Sequence, residues 1–478
     1  MIRALPSWTP IVLVLMMADL AAGFETTMMF AALPKLMLIF GNPIGVGWLI
    51  SGYFLCYASA TAIIGRLGDI YGRKRVLLGV LMLVVVGSSI SAMGASLEWV
   101  IAGRVLQGVS GGILPLCLGL ARENVPDDKV SLSVGILLAS SGVGGALGLV
   151  VGGLIIDNAP WPYLFVTSGA MTLATLLLAP FVLPASAVKA KVRTLDLAGG
   201  FLFTSAIAAI LFAVSNMREW GVTDERFLMV AGSGLGLTIL WICYEYRQQD
   251  PLLDVRLFAQ KEFALLSGCF AIFGLGGMQL AQIQMLFLQQ PVWTGAGLGL
   301  SATLSGLLKV PSNVISMGTA PATGYFVDRL GGRPVLITAF LLGCVGWALL
   351  TAKHDSIWLV VTVLALVCNL SSTMLLVGLS AVGVTTAPVD RTGETMGLLT
   401  VVRSVGMALG SQLTLVILAA DRVYDPAHPS SSYPTEWSFS ALFLVLIALS
   451  FTGAVLAWFL PGSAKRAARL AQEGVGAA

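Results

Sequence analysis

Side chains that carry chemistry are scarce in this sequence. Histidine occurs only twice, at His354 and His428, and there is no HExxH pair, no P-loop and no Gly-x-Ser-x-Gly elbow. Those absences remove the usual scaffolds of a metalloprotease, a nucleotide-driven pump and a serine hydrolase, and the chain reads as a non-enzyme. The six cysteines, Cys56, Cys117, Cys243, Cys269, Cys344 and Cys368, fall singly in apolar runs without a CxxC pair. That placement suits small core residues, so neither a metal site nor a cofactor is expected. Charge is the scarcest commodity: 11% of residues are charged, against about 25% in a soluble domain. The net charge of +3 is spread thinly along the chain, which excludes a basic face for nucleic acid.

What the sequence has in abundance is apolar length. Hydrophobic residues make up 57% of the 478 positions and the mean hydropathy is +0.91, so lipid is the expected solvent for one polytopic body. The N-terminus imitates a signal peptide, but Asp19 interrupts its apolar stretch and span follows span; an uncleaved first helix is expected. Taking about 20 apolar residues per crossing, fourteen candidate spans are counted, at 9–32, 46–64, 76–95, 97–120, 131–156, 162–183, 197–214, 227–245, 263–289, 298–323, 335–352, 356–386, 394–419 and 438–460. The seventh and eighth are closely flanked by polar residues, and a count of twelve follows if they lie on the surface. Nineteen of the 27 Lys and Arg residues fall at the termini and in alternate loops on one side. That bias puts both termini in the cytoplasm of a multi-pass protein of the cell (inner) membrane.

Two loops on the positive side share a pattern. "GRLGDIYGRKRVLL", Gly65–Leu78, follows the second span, and "GYFVDRLGGRPVLI", Gly324–Ile337, follows the tenth. With spans seven and eight set aside as a linker, these elbows occupy equivalent places in two six-helix halves, an internal repeat of the kind from which many secondary transporters are built. The divisions expected are 1–186 for the first half, 187–262 for the linker, 263–462 for the second half and 463–478 for a cytoplasmic tail. A tight turn favours glycine, and an Asp beside Arg residues supplies an ion pair that can be made in one state and broken in another.

The elbows resemble the glycine-aspartate-glycine-arginine loop of the major facilitator superfamily. Gly65, Leu67, Asp69, Gly72, Arg73 and Lys74 match its pattern, and Gly324, Asp328, Gly331 and Arg333 match a weaker copy. "RVLQG", Arg104–Gly108, resembles the family's intramembrane Arg motif, with Arg104, Gln107, Gly108 and Gly111 on one helical stripe. "ETTMMFAALP", Glu25–Pro34, and "RSVGMALG", Arg403–Gly410, are similar to the first and late helices of the fourteen-span drug:proton antiporters. The resemblance implies an all-α major facilitator fold and proton-coupled transport. Gly144, Gly148 and Gly152 form a small-residue stripe that lets another helix approach closely, and a tight contact between the two halves is expected there. The antiporters place a proline after the middle glycine, where this chain has Leu149.

Five ionisable residues lie inside spans: Asp19, Glu25, Arg104, Lys309 and Arg403. Each costs about 2.5–3.5 kcal/mol on insertion scales, so they are functional candidates. Asp19 and Glu25 are six residues apart, about 120° around a helix, which predicts separate partners and separate roles. Glu25 stands at the acidic motif position and is the expected proton carrier, with Arg104 as its charge partner and Asp19 as a second candidate. Lys309 precedes Pro311, which favours a kink; the lysine could attract an anionic substrate, pair with an acid or snorkel toward an interface. Gln107, Gln279, Gln282, Gln290, Lys309 and Arg403 are the expected cavity residues. Gly65, Asp69, Gly72, Arg73, Lys74, Asp328 and Arg333 are the expected gating set.

The reading is therefore a secondary transporter that moves a small organic substrate and protons across the lipid bilayer by alternating access, as a monomer. Export is favoured by the resemblance. Uptake of a small metabolite or vitamin, and a non-transporting receptor on the same scaffold, are the alternatives.

Overall fold

The computed structural model of the chain describes residues 8–461, apart from 186–195, 250, 252, 354–355, 387–391 and 427–431. His354, His428, Arg193 and the 463–478 tail lie outside the described residues. The protein is an all-α membrane protein of two six-helix halves joined by a two-helix linker. The first half comprises α1 (Thr9–Phe40), α2 (Pro43–Tyr71), α3 (Arg73–Met93), α4 (Leu97–Gln107), α5 (Ile113–Asn124), α6 (Asp127–Asn158) and α7 (Tyr163–Val182). A 3-10 turn over Gly108–Gly112 joins α4 to α5 within one crossing. The linker hairpin is α8 (Leu197–Trp220) and α9 (Glu225–Arg247), with α8 laid against α2 and α17.

The second half begins with α10 (Lys261–Leu275) and α11 (Leu280–Gln289), two parts of one crossing. It continues through α12 (Ala302–Leu307), α13 (Val310–Leu330), α14 (Gly332–Ala352), α15 (Ile357–Thr362), α16 (Asn369–Thr386), α17 (Thr392–Leu418) and α18 (Glu436–Trp458). A π-helical stretch, Val363–Cys368, links α15 to α16. A short antiparallel hairpin, β1 (Arg422–Tyr424) and β2 (Ser432–Pro434), pairs Val423 with Tyr433 before α18. Among the described residues thirteen helical segments are long and apolar enough to cross a bilayer, α8 and α9 among them. The crossing expected at 298–323 is interrupted instead. α12 stops at Leu307 and α13 restarts at Val310, with Pro311 in its first turn. A proline has no N–H to give to the residue four back, so the ladder is broken where the sequence places the ring. With that broken crossing the total is fourteen.

Glycine decides which helices meet. A Cβ at Gly144 would lie 2.2 Å from the Leu20 carbonyl oxygen, and one at Gly148 would lie 2.5 Å from that of Phe24. At Gly152 the nearest atom would be the Met28 carbonyl oxygen at 3.1 Å. The stripe therefore seats α6 on α1 inside the first half, which corrects the expectation of a contact between halves. Its neighbour makes that contact: a Cβ at Gly153 would lie 2.5 Å from the Ala302 carbonyl oxygen, and one at Gly306 would lie 2.5 Å from that of Leu149. The second half repeats the first arrangement, since a Cβ at Gly406 or Gly410 of α17 would lie 2.7 or 2.2 Å from the Ala271 or Leu275 carbonyl oxygen of α10.

The side-chain hydrogen bonds that join the halves gather at the end remote from the elbows. Asp157, at the end of α6, accepts from the Ala302 and Thr303 amides at 3.2 and 2.7 Å and from Thr303 Oγ1 at 2.6 Å, capping α12 across the interface. Gln289 Nε2 donates to the Ala31 carbonyl at 3.1 Å, and Ser51 Oγ donates to Gln412 Oε1 at 3.0 Å. At the elbow end, by contrast, α13 barely meets α6. Among the described residues the side-chain bonds between α6 and α12, α1 and α11, and α2 and α17 thus all lie toward the end remote from the elbows.

Candidate functional site

Both elbows turn on a glycine in left-handed backbone, Gly72 at φ 91° and Gly331 at φ 87°, a conformation that only glycine adopts without strain. Beyond that the two differ. In the first, Arg73 bridges Asp69 Oδ1 at 2.9 Å and Glu123 Oε1 at 3.0 Å, tying the turn to the end of α5. Lys74 Nζ donates to the Pro180 carbonyl at 2.8 Å and to that of Leu183, which anchors α3 to α7. In the second, Arg333 lies over the Trp458 ring at 4.8 Å, and Asp328 is exposed with no ion pair among the described residues. Gly65 and Gly324 face open space. Glu123 was not anticipated, because nothing in the spacing of the sequence marks a carboxylate fifty residues downstream of Arg73 as its partner.

Inside the membrane, α1 carries its two carboxyls to different neighbours, as a separation of about 120° requires. Asp19, 2% exposed, accepts from Ser140 Oγ at 2.8 Å and Ser141 Oγ at 2.6 Å on α6. Glu25, 1% exposed, accepts from Ser168 Oγ of α7 at 3.2 Å through Oε1, while its Oε2 is buried with no hydrogen-bond partner among the described residues.

Arg104 is fully buried and committed to main chain rather than to that carboxylate. Its Nε donates to the Leu49 carbonyl at 2.9 Å, and Nη1 donates to Gln107 Oε1 at 3.0 Å and to the Glu25 main-chain oxygen at 3.3 Å. The guanidinium also lies 4.1 Å from the centre of the Tyr53 ring. Arg104 thus remains the electrostatic neighbour of Glu25 without an ion pair to it among the described residues, and it forms a clamp that holds α1, α2 and α4 together at the level of Glu25. Two carbonyls and one amide oxygen accept three of the five guanidinium N–H groups, and the aromatic face adds to them. Gln107 continues the network to Ser88 Oγ at 2.7 Å, and the Tyr53 hydroxyl lies 2.9 Å from both Thr26 Oγ1 and Ser110 Oγ.

The residues expected in the cavity do not form one group. Gln279 Nε2 donates to the Gly274 and Met407 carbonyls at 2.8 and 3.1 Å, bracing the break between α10 and α11 against α17. Gln290 donates to Thr294 Oγ1 at 3.1 Å and to the Pro434 carbonyl, fastening the β-hairpin. Gln282 reaches the Ser411 carbonyl at 3.4 Å and leaves Oε1 buried without a partner, as are Gln284 Oε1 and Ser411 Oγ. Lys309 sits at the break between α12 and α13 and donates to Asn369 Oδ1 at 3.2 Å. Arg403 is half-buried on α17, near Tyr57 of α2, and its Nε has no partner. Tyr53, Tyr57, Ser168 and Asn369 escaped sequence reasoning, since isolated hydroxyls and amides in a span usually bond their own helix or a neighbouring one and carry no distinguishing pattern.

Comparison with known proteins agrees with this architecture. The sequence model described as Major Facilitator Superfamily matches residues 15–411. The tetracenomycin C resistance and export protein of Streptomyces glaucescens is 27% identical over 399 residues, covering 82% of this chain and 71% of its own. The multidrug resistance protein Stp of Mycobacterium tuberculosis (strain CDC 1551 / Oshkosh) is 26% identical over 381 residues, 79% of this chain and 69% of its own. Among solved structures, a bacterial homologue of the human lysosomal transporter Spinster, in an inward-facing and unoccupied conformation, superposes with a TM-score of 0.66 at 13% identity, over 96% of this chain and 97% of that one. A D-xylose–proton symporter gives 0.65 at 15% identity, over 96% and 99%. These two share the fold alone. The match across most of the sequence, on a chain whose two halves, elbows and buried arginine are laid out as described, places this protein in the Major Facilitator Superfamily.

Proposed function

We propose that the protein exports small organic molecules in exchange for protons by alternating access. The observation that carries this reading is Glu25: a carboxyl buried in the first half, with Oε1 accepting from Ser168 and Oε2 lacking a hydrogen bond within 3.5 Å among the described residues. A buried carboxylate with so few hydrogen bonds is costly, and a bound proton removes that cost. The proton then acts as a ligand whose binding free energy differs between states, provided that the surroundings of Glu25 change when the halves move. Export is supported by the relatives named for resistance and export. Uptake is the second reading, favoured by Leu149 in place of the antiporters' proline.

The elbow side is assigned to the cytoplasm, with both termini there in the inner membrane, because the loops on that side hold most of the Lys and Arg residues. The state described is then inward-facing, closed toward the outside through Asp157 and α12. Residues 1–186 and 263–462 move as the two halves of a monomer, with 187–262 as the linker and 463–478 as a tail. The test is transport in vesicles of known protein orientation under an imposed pH gradient, with tetracenomycin C and 2-naphthoate as probes. Gradient-driven movement toward the face remote from the elbows supports export, movement toward the elbows supports uptake, and no movement of either probe removes the drug-export reading.

A further inference from the structure

We infer that the break between α12 and α13 is a binding site for a carboxylate, held by Lys309, Ser312 and the N-terminus of α13; the inference rests on the transport reading and supplies its substrate class. Lys309 is only 7% exposed, and among the described residues its side chain has one hydrogen bond, to a neutral amide oxygen, Asn369 Oδ1 at 3.2 Å. Lys309 has no ion pair among the described residues. An ammonium group has three donors, and a buried cation left with a single neutral acceptor is unfavourable until an anion joins it.

The surroundings complete an anion site. Lys309 immediately precedes α13, a helix of 21 residues, whose positive end therefore points at the break. The break itself stands about 10 Å in from the start of α12, by the rise of six or seven residues. Ser312, in the first turn, is fully buried and its Oγ has no hydrogen-bond partner among the described residues. Asn369 holds the two sides of the site in register, for its Nδ2 donates to the Ser312 carbonyl and to Ser316 Oγ, both at 2.8 Å. It projects from the first position of α16, directly after the π-helical stretch Val363–Cys368, the kind of local widening that often accompanies function. The half-buried pair Ser316 and Thr373, 2.8 Å apart, extends the polar surface away from the lysine.

One cation and one orphan hydroxyl suit a group of one negative charge and two acceptor oxygens. A carboxylate neutralises Lys309 and accepts from Ser312. A dianionic phosphate would leave a net charge in the membrane. The broken helix thus selects organic acids whose remaining body faces the apolar interior.

The experiment is thermal stabilisation of the purified full-length chain in detergent by acetate, benzoate and 2-naphthoate, each compared with its neutral amide and with sodium chloride at matched ionic strength. The expected result is saturable stabilisation by at least one acid and by neither its amide nor chloride. In Lys309→Gln the half-maximal concentration of that acid should rise by about tenfold or more, the loss expected for a charge-assisted bond, while Lys309→Arg should retain most of the affinity. Equal stabilisation by acid and amide, equal stabilisation by chloride, no saturable effect of any acid, or an effect that survives Lys309→Gln overturns the proposal. The acid-against-amide comparison on the unaltered protein stands even if a variant fails to fold. Binding is read without transport, so failure of the export assay and failure of this site are told apart.

Discussion

Asp157→Ala should open the side of the protein remote from the elbows. The carboxylate makes three hydrogen bonds across the halves, to the Ala302 amide, the Thr303 amide and Thr303 Oγ1, at 3.2, 2.7 and 2.6 Å. Losing a helix N-cap costs about 1 kcal/mol, and the hydroxyl bond adds up to about 1 kcal/mol more. Asp157 is exposed, so water competes for it and the total is about 1–2 kcal/mol at most. All of it is lost from the closed arrangement and none from the open one. The ratio of the two states should then shift about 5- to 30-fold, taking a minor state at about 1% to roughly 5–20%. The readout is the distance distribution between spin labels on exposed residues at the two ends: Ile39 with Val292 on the closed side, and Tyr71 with Leu330 at the elbows. The variant should gain a longer Ile39–Val292 population together with a shorter Tyr71–Leu330 one, and Thr303→Ala should give a smaller shift in the same direction. Unchanged distributions in both variants would show that Asp157 is only a surface cap and that the apolar contact of α6 with α12 holds the closure alone.

Gly148→Ala should lower the melting temperature of the protein and its yield, because a Cβ there meets Thr27 Oγ1 at 2.2 Å and the Phe24 carbonyl oxygen at 2.5 Å, and overpacking of this kind costs about 1–3 kcal/mol. Gly142→Ala, which faces open space, is the control and should leave the melt unchanged; equal effects would mean that the stripe does not set the α1–α6 distance. At the first elbow, Glu123→Gln should slow transport at least as much as Asp69→Asn. The side chain of Glu123 is only 14% exposed, against 60% for Asp69, and an exposed pair contributes little. Rates measured at equal protein levels decide it, and a loss confined to Asp69→Asn would return the switch to the loop alone.

The features legible in the sequence were those with a period or a spacing. Fourteen crossings follow from apolar length, the two halves from the repeated elbow, and the close helix contact from glycines at every fourth position. Pro311 announced the break beside Lys309, although the span there was expected to run on. The break at Gly276–Gln279 between α10 and α11 and the 3-10 turn over Gly108–Gly112 lie in glycine-rich stretches that read equally well as continuous helix, since glycine is common in membrane helices. The partners of the buried charges could not be read at all. Arg104 binds the carbonyls of Leu49 and Glu25, and every residue offers a carbonyl, so no side chain advertises the contact. Ser168, Ser140 and Asn369 are likewise ordinary polar residues until packing brings them to Glu25, Asp19 and Lys309.

The central claim is that a proton on Glu25 drives transport, and it is tested most directly by Glu25→Gln in reconstituted vesicles. Glutamine imitates the protonated carboxyl at nearly equal volume, and it keeps an acceptor for Ser168. The variant should lose accumulation of a transported probe against its gradient when a pH difference is imposed, and it should keep exchange of that probe between two pools at equal pH. Asp19→Asn, measured alongside, should retain most of the gradient-driven accumulation, because both of its serine contacts come from α6, the helix already seated on α1. Full gradient-driven accumulation by the Glu25→Gln protein, with uncoupling by Asp19→Asn, would contradict the account and move the proton to the other carboxyl of α1.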